Sequence, residues 1–157
     1  MRPLSEQQFN QLQTGLLARL DRLGRTETRD QGNQRRLRKV RIVVYVPGQV
    51  GEPRLADEIR LEYEEWYRKT DLGWVRVRYN YNYFDLSKGG RWGFHLHEIP
   101  GSRGMSVPHL VCVLPNGSGE GRHYVAHEVE LLAAHDLFEQ HYANGRPVSC
   151  SGLTRID

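Results

Sequence analysis

The sequence predicts an α+β fold: an N-terminal helix, an antiparallel β-meander of about five strands, and a C-terminal helix packed on one face of the sheet. Apolar residues recur at helical spacing near both ends of the chain, and strand-like alternation fills the middle. Turns rich in Gly, Asn, Asp and Pro separate the alternating segments. At 157 residues, with three Trp, eight Tyr and four Phe, the chain has enough length and apolar bulk to close one core without staples. The expected organisation is a single domain over 1–157. An amphipathic helix spans 1–24, a polar basic connector 25–37, and the sheet with its C-terminal helix 38–157.

Ser5 followed by Gln8 forms a capping box, and Phe9, Leu12, Leu16, Leu17, Leu20 and Leu23 continue at helical spacing until Gly24. Residues 25–36 show no apolar periodicity and read as a connector. Val40 to Val46 is β-branched and suits a central strand. The segment containing Ile59, Leu61, Tyr63, Trp66 and Tyr67 fits either period; the strand is preferred because Thr70-Asp71-Leu72-Gly73 then closes a hairpin. In the strand from Trp74 to Phe84, Val75, Val77, Tyr79, Tyr81 and Tyr83 alternate with Arg76, Arg78, Asn80 and Asn82, which predicts two opposite faces. Trp92, Phe94 and Leu96 then alternate with His95 and His97, and Val107 to Leu114 reads as an interior strand. A last helix is expected from around Tyr124 to Ala143, ended by Asn144-Gly145 and Pro147.

The net charge of +3 hides an uneven layout. Residues 1–41 carry ten Arg/Lys against four Asp/Glu, and the rest of the chain twelve against fifteen. Arg35, Arg36, Arg38 and Lys39, with Arg76 further on, are the candidate nucleic-acid contacts, since clustered cations displace counterions from phosphate backbones. The acidic run Glu62, Glu64, Glu65 reads as the solvated side of a hairpin. The longest apolar runs fall far short of the roughly 20 residues that span a bilayer. Cys112 and Cys150 show no CxxC spacing, so neither a disulfide framework nor a thiolate zinc site is indicated, and a cytoplasmic, reducing location is expected.

Five of the seven histidines fall between positions 95 and 127. His95 and His97, two apart on a strand, point to the same side, and imidazole both binds metal and exchanges protons near neutral pH. Three functions follow as expectations. The first is a small nucleic-acid-acting protein, a histidine-dependent ribonuclease of bacterial toxin-like type, with His95 and His97 as acid and base and Arg78 stabilising developing charge. The second is a metal-dependent enzyme or metal-binding module that holds a divalent transition metal such as zinc with His95, His97, His109, His123 and His127. The third is a non-catalytic domain that engages a protein partner through its N-terminal helix. Cys150, in a segment that reads as an exposed loop with His135 or His141 in reach, offers a nucleophile as a further candidate. Helix, meander, helix is also the order of ubiquitin-conjugating domains, a likeness of layout alone, since the His-Pro-Asn tripeptide is absent.

Overall fold

The computed structural model describes residues 3–22, 25–28, 37–46, 59–99, 103–114, 121–144 and 148–156. Helix α1 covers Glu6–Leu20 and starts with the expected capping box: the Gln8 amide donates to Ser5 Oγ at 3.2 Å and the Ser5 amide to Gln8 Oε1 at 2.9 Å. Its Phe9, Leu16 and Leu20 are buried. The expected helix end at Leu23 and Gly24 lies outside the described residues.

Seven strands follow: β1 (Arg25–Thr28), β2 (Leu37–Val46), β3 (Ile59–Thr70), β4 (Gly73–Asp85), β5 (Arg91–Glu98), β6 (Ser106–Val113) and β7 (Arg122–Val125). They form one sheet in chain order, every neighbouring pair antiparallel. Helix α2 spans Leu131–Ala143. The α+β meander is as expected, with two more strands than the sequence suggested. One of these, β1, lies in the supposed connector. The other, β7, occupies residues assigned to the start of the last helix, so that helix begins at Leu131 and not near Tyr124. Four residues are too few to show a period, and the helical stripe further on masked the change.

The β3–β4 hairpin turns on Asp71 and Leu72, with Thr70 paired to Gly73. Gly73 has φ +128°, and a Cβ there would stand 2.5 Å from the Leu4 carbonyl oxygen. That close approach lets Leu4 and Trp74 exchange two backbone hydrogen bonds, each 2.7 Å, which fixes the chain entering α1 on the hairpin.

Both helices pack on the same face of the sheet. Phe9 of α1 contacts Tyr67 and Trp74, and Phe138 of α2 lies among Tyr63, Tyr83, Trp92 and Phe94. Arg19 on α1 pairs with Asp136 on α2. His135, fully buried on the α2 stripe, is satisfied by the Tyr63 hydroxyl at 2.8 Å. The segment after α2 is tied back to the sheet by a disulfide between Cys112 of β6 and Cys150, 38 residues apart in sequence. This corrects the expectation of two unpaired thiols and removes Cys150 as a nucleophile. No helix among the described residues is long and apolar enough to cross a membrane.

One irregularity redistributes the faces of β4. Trp66 pairs with Arg78 but Tyr67 with Arg76, so Val77 is an extra residue in the ladder, a β-bulge. The bulge inverts the alternation. Arg76 joins Tyr79, Tyr81 and Tyr83 on the helix-covered face, whereas Val75 and Val77 turn away from it. Arg76 is therefore not a surface cation, as the unbroken pattern implied, but is only 5% exposed. Its guanidinium donates to Glu65 at 3.0 Å, Tyr81 Oη at 2.7 Å and Glu128 at 2.9 Å, and lies 4.7 Å above the Tyr79 ring. Glu65 also accepts from Tyr67 at 2.6 Å and from Tyr81, so it belongs to the interior and not to a solvated hairpin side. Burial first, and then the Glu65 charge, push the Tyr81 phenol well above its ordinary pKa, so it remains a donor. Replacing Arg76 by alanine strands the Glu65 carboxylate without its cation. The expected cost is roughly 3–5 kcal/mol, read as a lower urea midpoint at unchanged slope; an unmoved midpoint would contradict the network's role.

Candidate metal centre

Because α1 and α2 cover the same face, the period of two along each strand decides which side chains reach the other. On β5, Trp92 and Phe94 meet Phe138, so Arg91, Gly93, His95 and His97 lie on the open face. The β5–β6 register sets His95 directly opposite His109, and β7 sets His123 opposite Val111. The imidazoles of His95, His97 and His109 thereby gather. Their ring centroids are 5.3, 5.6 and 4.6 Å apart, and one nitrogen from each lies within 4.8 Å of the others. His123 stands beside the group, its ring 5.1 Å from that of His109. His127 lies on the exposed segment between β7 and α2, outside this cluster.

The partners of the three rings fix which nitrogen each presents. His109 Nδ1 lies 2.8 Å from the Val107 carbonyl oxygen and His97 Nδ1 2.7 Å from that of Glu98. A carbonyl only accepts, so both Nδ1 atoms carry the proton, and in the neutral ring each Nε2 then carries a lone pair. His95 is held the other way, its Nε2 donating to Asn82 Oδ1 at 2.9 Å, which leaves Nδ1 as its lone-pair atom. That atom faces His97 Nε2 at 3.3 Å. With both rings neutral two lone pairs would meet here, an arrangement relieved by a shared proton or by a metal cation. His109 Nε2 is closed off from solvent and has no hydrogen-bond partner. Outer acceptors that orient imidazoles towards one point are the usual second layer of a metal site.

Electrostatics favour the ligand form. His95 is 8% and His109 1% exposed. Burial, reinforced by the neighbouring imidazoles, holds the His95 pKa down at about 3. Burial likewise lowers His109 to about 4, against the opposing effect of its Val107 carbonyl bond. Both are neutral at pH 7, as metal ligation requires.

Gly93 makes the arrangement possible. It is the cross-strand partner of Asn82, and a Cβ there would stand 2.4 Å from Asn82 Oδ1 and 2.9 Å from His95 Nε2. Only a bare α-carbon leaves room for the Asn82 to His95 hydrogen bond. Nothing in the local sequence marks either residue as part of a site. Asn82 was legible as part of a polar face, but its place beside His95 depends on strand register.

The other sequence candidates are dispersed. Arg78 is on the open face, its guanidinium stacked 4.6 Å above Trp66. Lys39 pairs with Glu64 at 3.1 Å and covers the other approach to Trp66 at 4.8 Å. Arg38 is bonded to Glu6 at 2.6 Å and lies 4.5 Å from the Trp74 ring. Arg35 and Arg36 lie outside the described residues, and Arg76 is interior. No family model, curated protein or solved structure matches this chain.

Gly93→Ala should displace Asn82 and release the His95 ring, lowering metal affinity roughly 10–100-fold. Asn82→Ala, which removes the acceptor without adding bulk, should act in the same direction. Competition against a calibrated chelator reads both, and wild-type affinity in the two variants would contradict the assigned role.

Proposed function

We propose that this protein is a transition-metal enzyme whose centre is built from His95 Nδ1, His97 Nε2 and His109 Nε2. The buried, partnerless Nε2 of His109 carries the reading, because an imidazole acceptor left dry and unpaired costs free energy unless something occupies it. Three neutral imidazoles suit zinc, and equally copper, nickel or iron, by donor type; zinc is the metal expected in a redox-silent site. Three protein ligands with a further position open are the pattern of catalytic zinc, which supplies an activated water near neutral pH. The chain's own residues orient the ligands: Val107 and Glu98 through their carbonyls, Asn82 through its amide.

Metal-free cleavage of RNA by paired histidines has less support. It needs one imidazole protonated near neutral pH, and burial works against this for His95 and His109. Of the expected nucleic-acid contacts, Arg38 and Lys39 are engaged with Glu6 and Glu64. Recruitment of a protein partner through the apolar side of α1 is likewise disfavoured, since Phe9, Leu16 and Leu20 are already buried on the sheet. The Cys112–Cys150 bond supports residence in an oxidising compartment in place of the reducing cytoplasm.

Protein purified without a histidine tag should carry close to one zinc per chain by elemental analysis, or take it up on addition. The His95→Ala, His97→Ala double variant should lose it while keeping its secondary structure. A wild type that neither carries nor takes up zinc, copper, nickel or iron would overturn the proposal.

A further inference from the structure

The open face is divided electrostatically. Over β2 and β3, Lys39, Arg41 and Arg60 are committed to carboxylates: Lys39 and Arg41 approach Glu64 at 3.1 Å each, and Arg41 and Arg60 approach Glu62 at 3.4 and 3.1 Å. Both acids are thereby used. Over β5 to β7 the balance is different. An imidazole binds a metal in its neutral form, so a divalent metal held there keeps its whole charge, with no carboxylate in the donor set among the described residues.

Arg91 adds to this excess. It lies on the face of β5 that carries His95 and His97, opposite Phe84 of β4 and Val113 of β6. Among the described residues no carboxylate comes within the 4.0 Å of an ion pair. Its Nε is shut off from solvent with no acceptor. Burial lowers the guanidinium pKa, an effect that the more distant Glu62 only partly opposes. Gly121, before β7, leaves it room: a Cβ there would stand 3.2 Å from Arg91 Nη2. The same Cβ would stand 2.4 Å from Val111 Cγ1, and Val111, two residues from His109 on β6, is the cross-strand partner of His123, so the guanidinium reaches along the open face towards the imidazole cluster.

A half-buried cation with no counterion among the described residues, beside a site that adds two more positive charges, calls for an anion. Resting on the metal reading above, we propose that the substrate carries an oxyanion, phosphate or carboxylate, held between the metal and Arg91. The planar guanidinium fork matches two oxygens of either group, whereas an ammonium would offer only a point charge.

Cobalt(II)-substituted protein tests this, because its visible absorption reports both metal binding and any anion that reaches the metal. Inorganic phosphate and acetate are titrated separately into the wild type, Arg91→Ala and Arg60→Ala. The wild type should show a saturable spectral change with at least one anion, and the better of the two identifies the substrate class. Arg91→Ala should bind cobalt as the wild type does but require roughly tenfold more anion, the loss expected for a charge-assisted hydrogen bond. Arg60→Ala, on the committed side of the face, should respond as the wild type. A wild-type cobalt spectrum that neither anion alters, or equal anion affinity in Arg91→Ala, overturns the proposal while leaving the metal centre standing. Absence of any cobalt spectrum in the wild type overturns the centre and the anion site with it.

Discussion

Phe138 is wholly buried, and the four rings around it come from three different strands: Tyr63 from β3, Tyr83 from β4, and Trp92 and Phe94 from β5. That contact decides which side of each strand is inside. A strand has two sides and a period of two, so once Trp92 and Phe94 are turned to α2, His95 and His97 have no choice of direction. The β5–β6 register then sets His109 opposite His95. A slip of one residue would send the imidazoles into the core and the aromatic rings into water, so the burial that stabilises the fold also specifies the cluster.

The bulge at Val77 shows the same logic in reverse. Without it, Arg76 would share the open face with Arg78, and the interior beneath the 126–130 segment would lack the cation that neutralises Glu65. Buried ion pairs of this kind contribute little net stability compared with well-packed apolar groups, yet they are costly to break. Here the pair is embedded among the stacked Tyr79 and Tyr81 rings and the Tyr67 hydroxyl. It ties the bulged strand to the segment leading into α2 through Glu128 and Glu130.

What could be read in the sequence was what depends on local period and on single turns. The capping box at Ser5, the Asp71-Leu72 hairpin and the alternation of β5 are each encoded within a few residues. The bulge is not, because Val and Arg continue to alternate through it and only pairing with β3 reveals the extra residue. Strand β7 is too short for its period to outweigh the helical stripe that follows. The disulfide joins cysteines 38 residues apart that share no spacing motif. The histidine site was half legible. His95 and His97 were placed on one side by spacing alone, but the inclusion of His109, the position of His123 beside it, the exclusion of His127 and the roles of Asn82 and Gly93 all depend on register and chain path.

The central claim is that three imidazoles, each turned by its own outer acceptor, present their lone pairs to one point on the uncovered face of the sheet. X-ray absorption on the zinc-loaded protein measures this directly. The account expects a four-atom shell near 2.0–2.1 Å in which the multiple scattering of the outer ring atoms counts three imidazoles, the remaining atom being a water oxygen, with one imidazole lost in His109→Ala. An all-oxygen shell, or a full set of imidazoles that persists in the His109→Ala variant, would contradict it.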